Sequence, residues 1–198
     1  MLDYEKVAVL GLQETLARCN HYIPNIPGYR CYVSPAEEGF RGTATFVDAG
    51  LTSYEVPHGL RWLIHVKVIG FMGWQGPTHF LNVYLESGGN NRRSRGAALA
   101  EVKKIVNSIL ERTSEARVVV LGDFNEEPDK CMKHLNVGGN NVLNPCHFVG
   151  QPTSRFPRKG HRRRALDYFL LTETSQRVFR GARVLREYNS SDHRPILL

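Results

Sequence analysis

The sequence predicts an α/β fold in which two sheets pack together and helices lie outside them. Short segments rich in β-branched and aromatic residues recur along the chain between Gly and Pro residues, a pattern typical of strands. One longer segment has the 3.6-residue period of an amphipathic helix. A length of 198 residues, 41% hydrophobic and 23% charged, fits one folded domain and excludes a disordered or collagen-like chain.

The first predicted strand, residues 7–12, is an apolar run that ends in Gln13 and Glu14, so it should deliver a carboxylate at its end. In residues 94–111 the apolar side chains fall on one face, which predicts a helix, and a shorter helix is expected near residues 16–21. The other predicted strands are residues 29–33, 43–47, 62–68, 79–85, 118–121, 165–171, 183–185 and 196–198.

The charge balance predicts an acidic partner. Lys and Arg number 26 against 19 Asp and Glu, a net charge of +7, which favours nucleic acid over an anionic membrane surface, with solubility alone as the simpler explanation. No apolar run approaches the roughly 18 residues of a membrane span. Residues 1–5 lack the basic start and apolar stretch of a signal peptide, so we expect an intracellular, nuclear protein.

The four cysteines contain no CxxC pair, so reduced, partly buried thiols in an intracellular protein are expected. Cys131, His134, Cys146 and His147 could be drawn as a zinc site. Their spacing matches no common zinc pattern, so the sequence disfavours that interpretation.

Polar residues that could meet at one site end three predicted strands, at Glu14, at the Asp123–Asn125 pair and at Asp167, and His193 precedes the final strand. Side chains alternate along a strand, so Asp123 and Asn125 should point the same way. Each has a simpler explanation: a turn for Asp123 and Asn125, a cap for Asp167, and a solvated side chain for Glu14 or His193. Their joint occurrence favours a shared site that holds one reacting group.

Short motifs spread over nearly the whole chain carry a resemblance. In order they are Leu12-Gln13-Glu14-Thr15, Asn82-Val83-Tyr84, Gly122-Asp123-Phe124-Asn125, Pro152-Thr153-Ser154, Leu166-Asp167-Tyr168 and Ser191-Asp192-His193-Arg194-Pro195. Together they resemble the endonuclease/exonuclease/phosphatase superfamily, which includes exonuclease III-like enzymes and the endonuclease domains of LINE-type retrotransposons.

The resemblance implies a DNase I-like, four-layer α/β sandwich, with two mostly antiparallel sheets flanked by helices. It implies a single domain over residues 1–198 that lacks the family's first strand. That strand normally carries an Asn of the site, and residues 1–13 contain none. The resemblance therefore also implies an incomplete metal site.

For the metal, the resemblance implies that Glu14 binds a divalent ion and that Asp192 lies near it. Magnesium is expected, with manganese as an alternative, because a site of few oxygen ligands suits a hard cation.

For catalysis, the resemblance implies that Asp123 orients or deprotonates the attacking water, and that Asn125 and Tyr84 face the phosphate. His193 would pair with Asp167, which fixes its tautomer and favours the imidazolium. The sequence leaves open whether Asp123 or His193 is the general base. Water would attack a phosphodiester and leave a 3′-hydroxyl and a 5′-phosphate.

A basic segment, residues 155–164, precedes Asp167. A second basic cluster, Arg92, Arg93 and Arg95, follows Tyr84. Such segments suit phosphate contacts, although a solvated charge run is the simpler explanation. In retrotransposon endonucleases the corresponding segment is a hairpin loop that enters the DNA groove. The predicted nucleic-acid contacts are Arg92, Arg93, Thr153, Arg155, Arg158, Lys159, Arg162, Arg163 and Arg164.

The resemblance favours a Mg²⁺-dependent, DNA-nicking endonuclease of the retrotransposon type, monomeric and part of a larger polyprotein. No tryptophan lies between Asp123 and Asp192, whereas repair enzymes usually carry one there. An abasic-site or general DNase is the first alternative. A catalytically weakened relative that only binds nucleic acid is the second. Phospholipid-type phosphodiesterases are less favoured, because the basic residues form an extended run and not a compact pocket.

Overall fold

The computed structural model describes residues 7–18, 25–156, 162–186 and 191–198. The chain divides into two compact units, Met1–Tyr84 and Leu85–Leu198. That residues 1–198 form one domain stays a prediction.

In the first unit, three strands form an antiparallel sheet in the order β1, β3, β2. They are β1, Val9–Gln13, β2, Tyr29–Ser34, and β3, Thr43–Asp48. The central strand β3 is buried from Thr43 to Val47, as expected for a β-branched and aromatic run with partners on both sides. All three strands are predicted from the sequence, within one or two residues.

Three further strands of this unit pair antiparallel in the order β4, β5, β6. They are β4, Thr52–Glu55, β5, Leu63–Ile69, and β6, Pro77–Tyr84. The Asn82 side chain of β6 donates to Ala44 O at 2.9 Å and accepts a hydrogen bond from Gln13 Nε2 at 2.6 Å. This buried amide links β6 to Gln13 of β1 and Ala44 of β3. It therefore fixes the position of the chain just before Glu14.

Three imidazoles form a row in which His58 precedes β5, His65 lies on β5 and His79 lies on β6. His58 Nε2 lies 2.8 Å from His65 Nδ1, and His65 Nε2 lies 2.8 Å from His79 Nδ1. Burial, and then the charges of His79, His58 and Lys67, lower the pKa of His65 to about 3. Burial and Lys67 lower the pKa of His79 to about 4. Both rings are therefore neutral at pH 7, so they can be buried without an opposing charge.

The second unit contains two strand groups. Strands β7, β9 and β8 pair antiparallel in the order β7, β9, β8, and β10 pairs antiparallel with β11. They are β7, Arg117–Asp123, β8, Asn144–Pro145, β9, Asp167–Leu171, β10, Arg183–Val184, and β11, Ile196–Leu197. The apolar residues of β7 and β9 are largely buried. The antiparallel register places the polar residue at the end of β7 opposite the polar residue at the start of β9.

The helices of this unit are α1, Arg92–Arg112, α2, Pro128–Leu135, and α3, Glu173–Gln176. Helix α1 buries Val102, Ile105 and Val106 of the predicted apolar face. It also buries Leu99 and Arg95, although the apolar pattern places Arg95 off that face. Helix α2 is not predicted, because only Cys131 and Leu135 of its eight residues are buried apolar side chains. Single 3-10 turns occur at Phe71–Gly73 and Gly89–Asn91.

The helix predicted near residues 16–21 does not begin where expected. Leu16 has a φ of 56°, outside the helical region, and its backbone N–H donates to Arg41 O at 2.8 Å. Residues 19–21 lie outside the described residues. Among the described helices, none combines the length and the apolar character needed to cross a membrane.

Candidate active site

The ends of β7 and β9 bring two carboxylates together in the second unit. Asp123 and Asp167 are directly opposite in the antiparallel register, and opposed residues project on the same face of a sheet. The next residues, Phe124 and Tyr168, are buried, with rings that stack 4.2 Å apart. This stacked pair fixes the two chain segments that carry the carboxylates.

Asn125 holds the Asp123 carboxylate in place. Its backbone N–H donates to Asp123 Oδ1 at 2.8 Å, and its Nδ2 donates to Asp123 Oδ2 at 3.0 Å and to Leu85 O at 2.8 Å. A φ of 48° at Asn125 turns the chain back on itself for these contacts. Asp123 is 4% exposed, so the two donors offset much of the cost of burying its charge.

Asp167 is oriented by two side chains. His193 Nδ1 lies 2.7 Å from Asp167 Oδ2, and Ser154 Oγ donates to the same oxygen at 2.7 Å. Ser154 is fully buried, and its Oγ accepts the backbone N–H groups of Leu166 and Asp167 at 3.1 and 3.0 Å. The hydroxyl can therefore donate only toward Asp167. The sequence places Ser154 in a motif but assigns it no role.

The carboxylates keep His193 protonated. Burial lowers the pKa of His193, but its hydrogen bond to Asp167 and the charges of Asp167, Asp123 and Asp192 raise the pKa to about 9. The ring is therefore an imidazolium at neutral pH, as the Asp167 pairing predicts. An imidazolium donates from both ring nitrogens and has no lone pair for a metal.

In the first unit, Glu14 lies just beyond β1 with a φ of 55°. The hydroxyl of Tyr84 donates to Glu14 Oε1 at 2.8 Å, and Arg41 Nη1 forms an ion pair with Glu14 Oε2. Tyr84 is buried and its ring lies 5.6 Å from the ring of Phe40. Both oxygens of the predicted metal carboxylate thus have a protein partner. The Arg41 contact has no signal in the sequence.

The basic residues near Asp167 differ in their partners. Arg155 Nε lies 3.3 Å from Asp192 Oδ2, and Arg164 Nε lies 3.8 Å from Glu127 Oε1. The Arg163 guanidinium lies over the Phe156 ring, 5.1 Å from its centroid. Arg155 and Arg164 are therefore partly neutralised by carboxylates.

The other residues predicted to contact nucleic acid differ from Arg155 and Arg164 in their exposure and in their partners. Arg162, Arg92 and Arg93 are exposed and have no carboxylate partner within the described ranges of the chain. Thr153 is half-buried next to Ser154. The basic segment includes residues that lie outside the described ranges, among them Arg158, Lys159 and Gly160.

Comparison with known families decides the relationship. A model of the endonuclease/exonuclease/phosphatase family matches residues 2–193. The chain belongs to this family. The resemblance of the motifs is thereby confirmed. Members of the family are hydrolases that act on phosphodiester bonds, and they generally use divalent metal ions. No curated protein sequence matches the chain.

Solved structures in this family show the fold. The APE2 catalytic domain of Xenopus laevis is 15% identical with a TM-score of 0.77, covering 98% of this chain and 83% of that one. The 3′ phosphatase NExo of Neisseria, bound to a product DNA hairpin, is 17% identical with a TM-score of 0.76, covering 98% and 89%. The endonuclease domain of TRAS1, a telomere-specific non-LTR retrotransposon, is 18% identical with a TM-score of 0.71, covering 98% and 86%. These similarities confirm the predicted α/β sandwich.

The donor set of the second unit fits the metal that the family implies. Asp123, Asp167 and His193 are the one group of three such side chains in the described ranges whose ligand atoms all lie within 4.8 Å of one another. The two carboxylates of this group are donors of the kind that a hard ion such as Mg²⁺ prefers, whereas the His193 imidazolium has no lone pair to offer. The four residues weighed as a zinc site form no such group in the described structure. Burial also raises the pKa of the Cys131 thiol to about 12.

Proposed function

We propose that this protein is a metal-dependent endonuclease that nicks DNA, of the type found in retrotransposons, and leaves 3′-hydroxyl and 5′-phosphate ends. The supporting observation is the group of Asp123, Asp167 and protonated His193 within a fold whose family hydrolyses phosphodiesters. The group offers a carboxylate to accept a proton and a cationic donor to meet an anionic phosphate.

The proposed roles follow from the hydrogen bonds. With a pKa of about 9, His193 is a poor base at neutral pH and a good donor to a phosphate oxygen. Asp123 is then the group that orients or deprotonates the attacking water. Asn125 holds that carboxylate, and its amide would have to release Leu85 O or Asp123 Oδ2 in order to donate to the phosphate. Asp167, held by Ser154, orients the His193 ring.

Magnesium is the proposed metal, with manganese as a substitute, and Glu14 and Asp192 are its proposed ligands by the resemblance of their motifs. When bound, the ion supplies positive charge against the charge that develops on the phosphate oxygens. Tyr84 donates to Glu14, so its proposed role is to orient that carboxylate as well as to face the phosphate.

DNA is the proposed substrate, in the nucleus, and the chain is proposed to act as a monomeric domain of a larger polyprotein. The net charge of +7 and the exposed arginines support an acidic polymer as partner. Two similar proteins point the same way, because NExo is bound to a DNA hairpin and TRAS1 is a retrotransposon. An abasic-site or general DNase remains the alternative enzyme.

Nicking of supercoiled plasmid tests the proposal. With Mg²⁺ we expect conversion to the open circle, and with EDTA no conversion, because the phosphate charge is then no longer offset. DNA ligase should reseal the nicks, since it requires a 3′-hydroxyl and a 5′-phosphate. Absence of nicking with either Mg²⁺ or Mn²⁺ would contradict the enzyme assignment. Plasmid binding without nicking would instead identify the non-catalytic alternative, in which the basic surface only binds nucleic acid.

Two neighbouring arginines provide a matched test of DNA binding. Arg162 is exposed without a carboxylate partner in the described chain, whereas Arg164 faces Glu127 at 3.8 Å. We expect Arg162→Gln to weaken DNA binding and to reduce the slope of log K against log salt by about 1. Arg164→Gln should reduce that slope by less. Binding titrations between about 50 and 200 mM salt measure both slopes. Equal slopes for Arg162→Gln and the wild type would exclude a phosphate contact by Arg162.

A further inference from the structure

Arg41 forms an ion pair with Glu14, the carboxylate that is proposed to bind the metal. Arg41 Nη1 is paired with Glu14 Oε2, while the Tyr84 hydroxyl takes Glu14 Oε1. A guanidinium at this place competes with a divalent cation for the same oxygen. It also adds a like charge next to the position that the cation would take.

The backbone holds Arg41 against Glu14. Leu16 N donates to Arg41 O at 2.8 Å, and Thr15 N donates to Gly42 O at 3.2 Å. Gly42 has a φ of 82°, and a Cβ there would lie 2.7 Å from Thr15 Oγ1 and 3.0 Å from Ala36 N. A side chain at position 42 would therefore separate the two segments. This close backbone approach brings position 41 beside Glu14.

The pair is accessible and can be broken. The Arg41 and Glu14 side chains are 59% and 40% exposed. An exposed ion pair between mobile side chains is weak, because water screens it and both side chains lose rotamer freedom. The guanidinium could therefore leave Oε2, which would then be free to hold a divalent cation.

We propose that Arg41 is a built-in competitor of the divalent metal at Glu14 and sets the affinity of the site for that metal. This inference rests on the proposed function only in taking Glu14 as a metal ligand. Removal of the guanidinium removes both the competing hydrogen bond and the repulsion of the cation, so metal should bind more tightly. A lysine at position 41 keeps the charge and should keep most of the competition.

Binding of Mn²⁺, followed by electron paramagnetic resonance without DNA, tests the inference. We expect Arg41→Met to lower the Mn²⁺ dissociation constant by about threefold to tenfold, as expected for one exposed charge near a dication. Arg41→Lys should stay within about twofold of the wild type, since its charge is retained. Higher salt should reduce the difference. Unchanged or weaker Mn²⁺ binding by Arg41→Met would overturn the inference.

Two further results separate this inference from the proposed function. If Glu14→Gln binds Mn²⁺ as the wild type does, Glu14 is not a ligand and the competition is overturned, whatever the nicking assay gives. If Arg41→Met tightens Mn²⁺ binding but the wild type does not nick DNA, the competition stands and the endonuclease assignment fails. Thermal unfolding without metal checks that each variant is folded.

Discussion

Replacement of Asp123 by Asn is expected to lower the rate of plasmid nicking by about 10²–10⁴, the usual size of the loss of one acid–base group. The change keeps the shape of the side chain but removes its charge and its ability to accept a proton. Nicking rates at saturating Mg²⁺ measure the effect. Saturation matters because the change can also weaken metal binding.

The hydrogen bonds of Asp123 show what else the substitution changes. Both carboxylate oxygens accept from Asn125, at 2.8 and 3.0 Å. In the Asn variant one of those contacts would bring two donors together, so about 1–3 kcal/mol of stability should also be lost. Asp129→Asn, on the exposed side of α2, is the matched control and should nick normally. A folded Asp123→Asn protein that nicks within tenfold of the wild type would contradict the assigned role.

Replacement of Asp167 by Asn is expected to change the pH dependence of nicking. In the wild type, Asp167 and the neighbouring carboxylates raise the pKa of His193 to about 9, against a lowering by burial. Without the Asp167 charge, the pKa of His193 should fall from about 9 toward its ordinary value, because burial lowers it and only the charges of Asp123 and Asp192 still raise it. At pH 7.5 a larger share of the variant rings is then neutral, and nicking should fall by up to about tenfold.

The direction of the pH effect follows from the two pKa values. Wild-type nicking should decline as the pH rises through about 9, where the imidazolium loses its proton. In Asp167→Asn the decline should begin at a lower pH than in the wild type, so lowering the pH should restore part of the activity. NMR titration of His193 measures the pKa directly. A pKa of His193 that is still near 9 in the variant would show that Asp167 is not its cause.

The His193–Asp167 pair should also make the free energy of unfolding depend on pH. Because the folded pKa of His193 is raised, its protonation stabilises the folded state below the unfolded pKa of about 6.5, and this stabilisation is lost as the pH rises through about 9. The difference in unfolding free energy between the wild type and Asp167→Asn should therefore shrink toward high pH. Chemical denaturation at several pH values gives that difference.

The regular elements could largely be predicted from the sequence. Helix α1 and strands β1, β2, β3, β5, β6, β7 and β9 lie within a few residues of their predicted positions, since each has a long enough apolar pattern. Strand β4 is mostly exposed and polar, and helix α2 is short with two buried apolar residues, so neither has a clear period. Their formation depends on neighbours that a local pattern does not contain.

The family and the chemistry of the motifs can be read from the amino-acid order alone: a carboxylate after β1, an Asp and an Asn at the end of β7, and an Asp and a His further on. Which groups touch depends on the folded chain. The β7–β9 register sets Asp123 opposite Asp167, Ser154 joins Asp167, and Arg41 reaches Glu14. A hydrogen bond or ion pair is formed within a few ångströms, and strand register and loop conformation, which join distant residues, set those distances.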